Sequence, residues 1–137
     1  AQRPADIGFG ELRLQGWDGQ ISGDAVELRL NWQVDEHPLA PYWFSALLVA
    51  PDGIPAEETI IWQGLDTRYP TTCWQPGEVI GDTMMLPLPD DMARDGDWWI
   101  SLAVFADASD PEGTRLTVTL PDGSVDTQAG LGPIAGP

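Results

Sequence analysis

Aromatic and acidic side chains suited to sugar binding are concentrated between Trp62 and Trp74, with Asp66 and Tyr69 between the two tryptophans. The flat face of an aromatic ring can stack on the C–H face of a sugar, while a carboxylate accepts hydrogen bonds from hydroxyls. The segment therefore predicts a candidate glycan site formed by Trp62, Asp66, Tyr69 and Trp74. The alternative is that both tryptophans belong to the core and that the segment is a loop between two sheets. Large aromatic side chains dominate core burial, which favours this second interpretation.

A second candidate contact residue comes from the adjacent pair Trp98 and Trp99. Neighbouring residues of a strand point to opposite faces of the sheet, so we expect one indole to enter the core and the other to face outward or lie under a loop. An exposed tryptophan often marks a ligand or protein contact. Trp99 is therefore added to the candidate binding residues.

Carboxylates near this segment suggest either bracing of turns or binding of calcium. Asp66 and Asp82 flank residues 67–81, and we expect them to brace this loop because short acidic side chains commonly hydrogen-bond to nearby backbone. Arg115 could pair with one of these two carboxylates. The acidic run at 107–113 lacks the alternating ligand spacing of an EF-hand. The sequence thus predicts neither a metal nor a cofactor.

Catalytic residues are not predicted either. His37 is the only histidine and lies between Asp35-Glu36 and Pro38, a context that predicts a loop, and Cys73 is the only cysteine. No G-x-S-x-G nucleophile elbow occurs in the sequence. Glycoside hydrolysis needs two carboxylates at a defined separation, but with 22 acidic residues some pair will satisfy any spacing. A carbohydrate-active enzyme with paired carboxylates stays open as the alternative to a non-catalytic domain.

Composition excludes two classes of partner. The 137 residues carry a formal charge of −16, with six arginines and no lysine. Such a negative field repels nucleic acid and anionic membrane surfaces. No apolar run approaches the roughly 20 residues of a spanning helix, so we expect no direct membrane insertion of this segment. Hydrophobic residues make up 42% of the chain and seven are tryptophan, which predicts a folded domain rather than a disordered tail.

Alternating apolar and polar residues predict strands throughout the chain. The clearest case is 26–34, where Val26, Leu28, Leu30, Trp32 and Val34 alternate with polar residues. Gly, Pro and Asp punctuate the runs, and Leu120-Pro-Asp-Gly-Ser-Val125 is typical of a hairpin. Strands are expected at 12–14, 26–34, 43–50, 59–63, 78–88, 98–106, 114–120 and 124–128.

These features predict an all-β fold, namely a single antiparallel immunoglobulin-like β-sandwich of about seven to nine strands, with a jelly-roll as the alternative. The sandwich domain is expected to span residues 1–129. A flexible Gly- and Pro-rich tail is expected over 130–137.

The middle of the chain carries a spaced motif that resembles a known family. The motif consists of Asp66, Tyr69, Pro70, Thr71, Trp74, Pro76, Gly77, Glu78 and Asp82. It is similar to a β-sandwich domain at the extracytoplasmic end of bacterial membrane proteins, many of which resemble polytopic glycosyltransferases of the dolichyl-phosphate-mannose type. The turn at Pro51-Asp52-Gly53 and the Gly113-Thr-Arg115-Leu segment also resemble that family. The segment 103–106 departs from the aromatic-Gly-Leu-Tyr strand that the family usually has.

The resemblance implies a setting rather than an activity. It implies an uncharacterised non-catalytic accessory domain, on the extracytoplasmic side of a bacterial membrane, that contacts glycan or the rest of its own membrane protein. No catalytic residues are carried over. The residues expected to shape the motif loop are Pro70, Thr71, Pro76, Gly77, Glu78, Asp82 and Arg115.

Overall fold

The protein folds as a two-layered β-sandwich, which confirms the predicted all-β class. The computed structural model describes residues 3–56, 59–63, 69–89 and 96–135. All strand pairings in this part of the chain are antiparallel. The strands are β1 (Arg3–Phe9), β2 (Leu12–Ser22), β3 (Ala25–Val34), β4 (Trp43–Val49), β5 (Ile60–Gln63), β6 (Val79–Pro87), β7 (Asp97–Phe105), β8 (Val118–Thr119), β9 (Val125–Asp126) and β10 (Ala129–Ala135).

The strands form one sheet of six and one sheet of four. The larger sheet has the order β6-β3-β2-β1-β8-β9, and the smaller has the order β10-β7-β4-β5. Strands β1, β2 and β3 follow one another as neighbours, whereas β4 and β5 lie in the second sheet before β6 returns to the first. The edge strand β5 precedes the motif segment in the chain, and the edge strand β6 contains its end at Asp82.

The core lies between the sheets and is rich in aromatic side chains. Trp32, in the middle of β3, is fully buried, as its alternating pattern predicts. Its ring contacts Phe9 at a centroid distance of 5.2 Å and Phe44 at 5.3 Å. Such edge-on and tilted pairs add to the stability that burial of apolar area provides. The core therefore joins β1 and β3 of one sheet to β4 of the other.

The described residues form ten strands, more than the predicted seven to nine. The first, β1, was not predicted, although Ala5, Ile7 and Phe9 alternate with Pro4, Asp6 and Gly8, and its register with β2 shifts between Pro4 and Ile7. The strands expected at 114–120 and 124–128 shorten to the two-residue strands β8 and β9. The neighbouring residues of these two segments take part in turns, where Gly123 adopts a positive φ of 88°.

The prediction of a flexible tail from residue 130 is wrong for most of that segment. Residues 129–135 form β10, which pairs with β7. Ala129, Leu131 and Ile134 are at most 2% exposed and face the core. The Ile134 side chain lies over Gly19 of β2, where an added Cβ would be 2.9 Å from Cδ1 of Ile134. Burial of these three side chains stabilises an ordered strand despite its glycine and proline content.

Candidate functional site

The centre of the motif segment is a single turn of 3₁₀ helix, Thr71–Cys73, preceded by Pro70 in an extended conformation. Thr71 is 1% exposed. Its hydroxyl donates to the carbonyl oxygen of Ala40 at 2.7 Å and accepts from the backbone N–H of Tyr42, also at 2.7 Å. One buried hydroxyl therefore ties the motif to the segment that leads into β4.

Trp62 and Trp74 are core residues and not part of a sugar platform. Trp62 is 5% exposed and Trp74 is fully buried. Both indoles stack on Phe44, with centroid distances of 5.9 Å and 6.2 Å respectively. The Nε1 of Trp74 donates to the carbonyl oxygen of Tyr69 at 2.8 Å. The sugar-stacking interpretation of these two tryptophans is thus wrong, because their ring faces are covered by other core side chains.

Tyr69 is partly buried, and its hydroxyl is occupied within the loop. The hydroxyl lies 2.7 and 2.9 Å from the two carboxylate oxygens of Glu78, and Glu78 Oε1 also accepts from the backbone N–H of Gln75 at 2.7 Å. The hydrogen bond to Glu78 raises the pKa of Tyr69, with smaller effects from desolvation and from the charge of Glu78. Tyr69 and Glu78 therefore brace the loop.

Pro76 and Gly77 form the tight turn that starts β6. The N–H of Glu78 donates to the carbonyl oxygen of Gln75 at 3.0 Å, and Gly77 has a φ of 89°. Proline at the second position and a positive-φ glycine at the third are the signature of a type II turn. The turn brings the Glu78 carboxylate back towards Tyr69.

Asp82 braces the structure, in agreement with the favoured interpretation of the acidic pair. It is 5% exposed and its Oδ2 accepts from the Nε1 of Trp62 at 2.9 Å. Asp66, its predicted companion, lies outside the described residues, so the pair as a unit is not described. A buried carboxylate held by an indole N–H is a structural group that satisfies the polar end of Trp62.

Arg115 does not pair with Asp82, so that half of the hypothesis is wrong, while the alternative partner, Asp66, lies outside the described residues. Its guanidinium Nη1 lies 3.5 Å from Oε1 of Gln128, and its Nε is buried with no hydrogen-bond partner among the described residues. Arg115 instead lines an open groove of about 420 Å³ beside Ser45 and Phe105. The strand register explains the difference, because Arg115 forms a β-bridge with Phe105 of β7, whereas Asp82 lies in the other sheet.

The acidic loop at 107–113 uses its carboxylates to close turns. Asp107 Oδ1 accepts from the N–H and the hydroxyl of Ser109, at 2.9 and 2.7 Å. Asp110 Oδ1 accepts from the N–H of Gly113 at 3.2 Å. The bonds from Ser109 lower the pKa of Asp107. Among the described residues, no group of three or more His, Cys, Asp or Glu side chains is arranged to hold a metal ion.

The Trp98–Trp99 pair divides between the two faces of its sheet, as the strand pattern predicts. Trp98 is fully buried, whereas Trp99 is 44% exposed on the outer face of the four-stranded sheet. A Cβ added to Gly132 of β10 would lie 2.6 Å from both Cδ2 and Cε3 of the Trp99 ring and 3.0 Å from Cγ. Similar distances to several ring atoms place the indole face against the glycine backbone.

The surroundings of Trp99 combine apolar and polar groups. Asp97 and Ser101 occupy alternate positions of β7 and therefore share its outer face. Val49 of β4 pairs directly with Trp99. On the other side of β7, a Cβ added to Gly130 of β10 would lie 3.8 Å from Cε3 of the indole. The indole thus lies flat on the sheet, with a carboxylate and a hydroxyl on its own strand.

The structure separates the predicted candidates into two groups. Tyr69 and Trp74 belong to the loop before β6, and Trp62 of β5 bonds Asp82 of β6 and stacks on Phe44, which Trp74 also contacts. Trp99 instead lies on β7, two strands away from β5 in the four-stranded sheet. The glycines beneath Trp99 were missed because residues 130–137 were predicted to be a tail. The alternation of Ala129 and Leu131 with Gly130 and Gly132 is the signal that could have indicated a strand.

Fold and site together define an antiparallel β-sandwich domain with an exposed indole on one outer sheet face. No protein-family profile matches the sequence. No curated protein matches it at a significant level. In the part of the chain that the structure describes, no helix has the length and apolar character needed to cross a membrane.

Proposed function

We propose that this chain is a non-catalytic accessory domain that contacts glycan through the outer face of its four-stranded sheet, with Trp99 as the central residue. In this proposal the sandwich is immunoglobulin-like and extracytoplasmic, and it belongs to a membrane glycosyltransferase-like protein. The resemblance of the motif segment to such domains supports the setting. The exposed indole supports the mode of contact.

The observation that carries the proposal is the packing of the Trp99 indole against the backbone of Gly132. Because Gly132 has no side chain, the indole packs face-on against the backbone, and 44% of the residue remains exposed. A flat, exposed aromatic surface is the shape that stacks on a sugar ring. Asp97 and Ser101 on the same strand face add a hydrogen-bond acceptor and a hydroxyl close to that surface.

The non-catalytic part of the proposal is supported by how the carboxylates are used. A glycosidase general acid needs a raised pKa. The pKa values of Asp107 and Asp122 are instead lowered, because each accepts hydrogen bonds from a serine two residues later. Asp82 is buried against Trp62, and Glu78 is engaged by Tyr69. These acids stabilise turns and strand edges.

Binding to oligosaccharides of the bacterial cell envelope, screened on a glycan array and then measured by calorimetry, tests the contact. We expect Trp99→Ala to weaken binding by about 2 kcal/mol, or about thirtyfold, because truncation of a central tryptophan removes its stacking area. Trp99→Tyr keeps an aromatic face and should retain part of the affinity. Val125→Ala, which truncates an exposed apolar side chain on β9 of the other sheet, should leave binding unchanged.

Two outcomes contradict the proposal. One is that the wild-type domain binds no glycan on the array, and the other is that Trp99→Ala and Val125→Ala bind equally well. The proposed setting has a separate test in the native bacterium. Fractionation should place the protein in the membrane, and protease added to spheroplasts should digest this domain. Recovery of the domain in the cytosol would contradict the setting without bearing on the glycan contact.

A further inference from the structure

The edge of the six-stranded sheet at β6 is long and regular. All nine of its residues, Val79–Pro87, pair with residues of β3, from Gln33 to Ala25, without a shift in register. The other long side of the strand is not paired with any described strand. An edge of this kind presents a row of backbone N–H and C=O groups to any strand that approaches it.

The remaining edges of the described sheets are shorter or interrupted. Strand β9 has two residues and β5 has four. Strand β10 has seven residues, but its register with β7 shifts between Leu131 and Ile134, and Pro133 in that interval has no N–H. Short edges and bulges are the devices by which natural sheets avoid association. Among the described edge strands, β6 is the one without such a device along most of its length.

Backbone hydrogen bonds identify which residues of β6 face the free edge. The carbonyl oxygen of Glu78 accepts from Val34, and the N–H of Leu88 donates to Asp24, so both residues direct these groups towards β3 and its turn. In an antiparallel strand the direction alternates from residue to residue. The odd-numbered residues of β6 therefore direct their N–H and C=O groups outward, except that Pro87 supplies only a carbonyl.

The same odd-numbered residues also form an exposed row without charge. The row consists of Val79, Gly81, Thr83, Met85 and Pro87, all of them exposed. Val79 is 62% and Met85 is 50% exposed. Of the acids on β6 and in the turn before it, Glu78 accepts a hydrogen bond from Tyr69 and Asp82 is buried beside Trp62. Next to the row on β3, Glu27 lies opposite Met85 and Arg29 lies opposite Thr83, and Arg29 Nε donates to Glu27 Oε1 at 2.7 Å. The row itself carries no carboxylate, in a chain with a charge of −16.

We propose that β6 pairs antiparallel with β6 of a second copy of this chain, about a two-fold axis at Thr83. In that register Thr83 lies opposite its own counterpart, Gly81 lies opposite Met85, and Val79 lies opposite Pro87. Residues whose backbone groups point outward thus meet residues of the same kind, as an antiparallel ladder requires. A second copy is the occupant that fits, because the uncharged row is self-complementary and keeps the acidic surfaces of the two copies apart.

Light scattering coupled to size-exclusion chromatography tests this pairing over micromolar to millimolar protein at low and high ionic strength. We expect a mass that rises towards twice the 14.9 kDa of the chain, and more readily at high salt because the −16 charges are screened. Thr83→Lys places like charges opposite each other at the axis and should raise the dissociation constant by about tenfold. The matched control is Thr119→Lys, at an exposed position of β8, which should associate as the wild type does.

Hydrogen exchange provides a second measurement. The amides of Gly81, Thr83 and Met85 should become protected as the protein concentration rises, whereas the Thr119 amide should not change. A wild-type chain that stays monomeric over the whole range, with unprotected β6 amides, overturns the proposal. A dimer that resists Thr83→Lys but is lost with Trp99→Ala also overturns it, because the interface would then be the outer sheet face.

Discussion

The Nε1 of Trp62 donates a hydrogen bond of 2.9 Å to Oδ2 of Asp82, and this bond joins the two sheets. Trp62 belongs to β5, the edge of the four-stranded sheet, while Asp82 belongs to β6, the edge of the six-stranded sheet. Both residues are 5% exposed. A charged acceptor inside the protein is tolerated when donors satisfy it. The pair therefore closes one side of the sandwich with a buried polar contact.

Replacement of Asp82 tests the importance of that contact. We expect Asp82→Ala to lower the free energy of unfolding by about 2–4 kcal/mol, because it leaves the buried indole N–H of Trp62 without this acceptor and opens a small void. Asp82→Asn keeps an amide oxygen in place and should cost less than half as much. Urea unfolding followed by tryptophan fluorescence measures both variants.

Asp24→Ala is the matched control, since Asp24 is exposed in the turn between β2 and β3. This variant should change stability by at most about 0.5 kcal/mol, as surface substitutions commonly do. Equal losses for Asp82→Ala and Asp24→Ala would show that the Trp62–Asp82 bond does not stabilise the fold.

The hydroxyl of Thr71 provides a second test of the motif segment. Thr71→Val keeps the shape but removes the hydroxyl, so the Ala40 carbonyl and the Tyr42 N–H lose a shared buried partner. We expect a loss of about 2–3 kcal/mol in urea unfolding. Thr71→Ser keeps the hydroxyl and should lose about 1 kcal/mol for the missing methyl group. A serine variant no more stable than the valine variant would contradict this role.

The packing of Trp99 against β10 predicts that alanine substitutions at two nearby glycines, Gly130 and Gly132, have different effects on stability. Gly132→Ala would place a methyl group 2.6 Å from the Trp99 ring, whereas Gly130→Ala would place one at an ordinary 3.8 Å. We expect Gly132→Ala to displace the indole, reduce stability by about 1–3 kcal/mol and increase acrylamide quenching of the fluorescence. Gly130→Ala should do none of this. Identical behaviour of the two variants would contradict the face-on packing.

The raised pKa of Tyr42 predicts that the protein loses stability at alkaline pH. Burial, followed by the hydrogen bond to Glu11 and the charge of that carboxylate, raises the pKa of Tyr42. An unfolded tyrosine ionises near pH 10, so the protonated folded form contributes stability below about pH 10 that is lost as the pH rises further. The free energy of unfolding should therefore fall by up to about 1.4 kcal/mol per pH unit above pH 10.

Comparison with Tyr42→Phe isolates this effect. The phenylalanine variant has no phenol to ionise at this position, so its unfolding free energy should fall less steeply than that of the wild type between about pH 9 and 11. Glu11→Gln should give an intermediate slope, since it removes the neighbouring charge but keeps Tyr42 buried. Parallel slopes for all three proteins would contradict the assignment to Tyr42.

Much of the fold follows from local pattern. The strand at 26–34 and its buried Trp32 were predicted because a period of two fixes which side chains face the core. The same rule predicted that Trp98 and Trp99 face opposite sides. In β1 the same period is present at Ala5, Ile7 and Phe9 but was not used. In β10 the period breaks between the buried Leu131 and Ile134, where the register shifts, and local alternation cannot represent such a shift.

The candidate site was harder to predict. Trp62 and Trp74 have the composition of a sugar site, and their actual role depends on Phe44, which is distant in the sequence and covers both rings. The sequence-based hypothesis offered Asp66 or Asp82 as the partner of Arg115, but Asp82 lies in the six-stranded sheet, whereas Arg115 bridges to Phe105 of the four-stranded sheet. Which side chains meet across a sandwich depends on strand order, and no local spacing encodes that order.

The amino-acid sequence alone determined the class of this protein: acidic, tryptophan-rich and built from short antiparallel strands, because composition and a two-residue period act locally. Tertiary structure decided which tryptophans are available for contact. Trp74 is buried because the loop before β6 packs its indole against Phe44. Trp99 packs face-on against the backbone of Gly132 on the outer face of the sheet, where it stays exposed. Exposure is a property of the neighbours that packing brings together, and those neighbours come from distant parts of the chain.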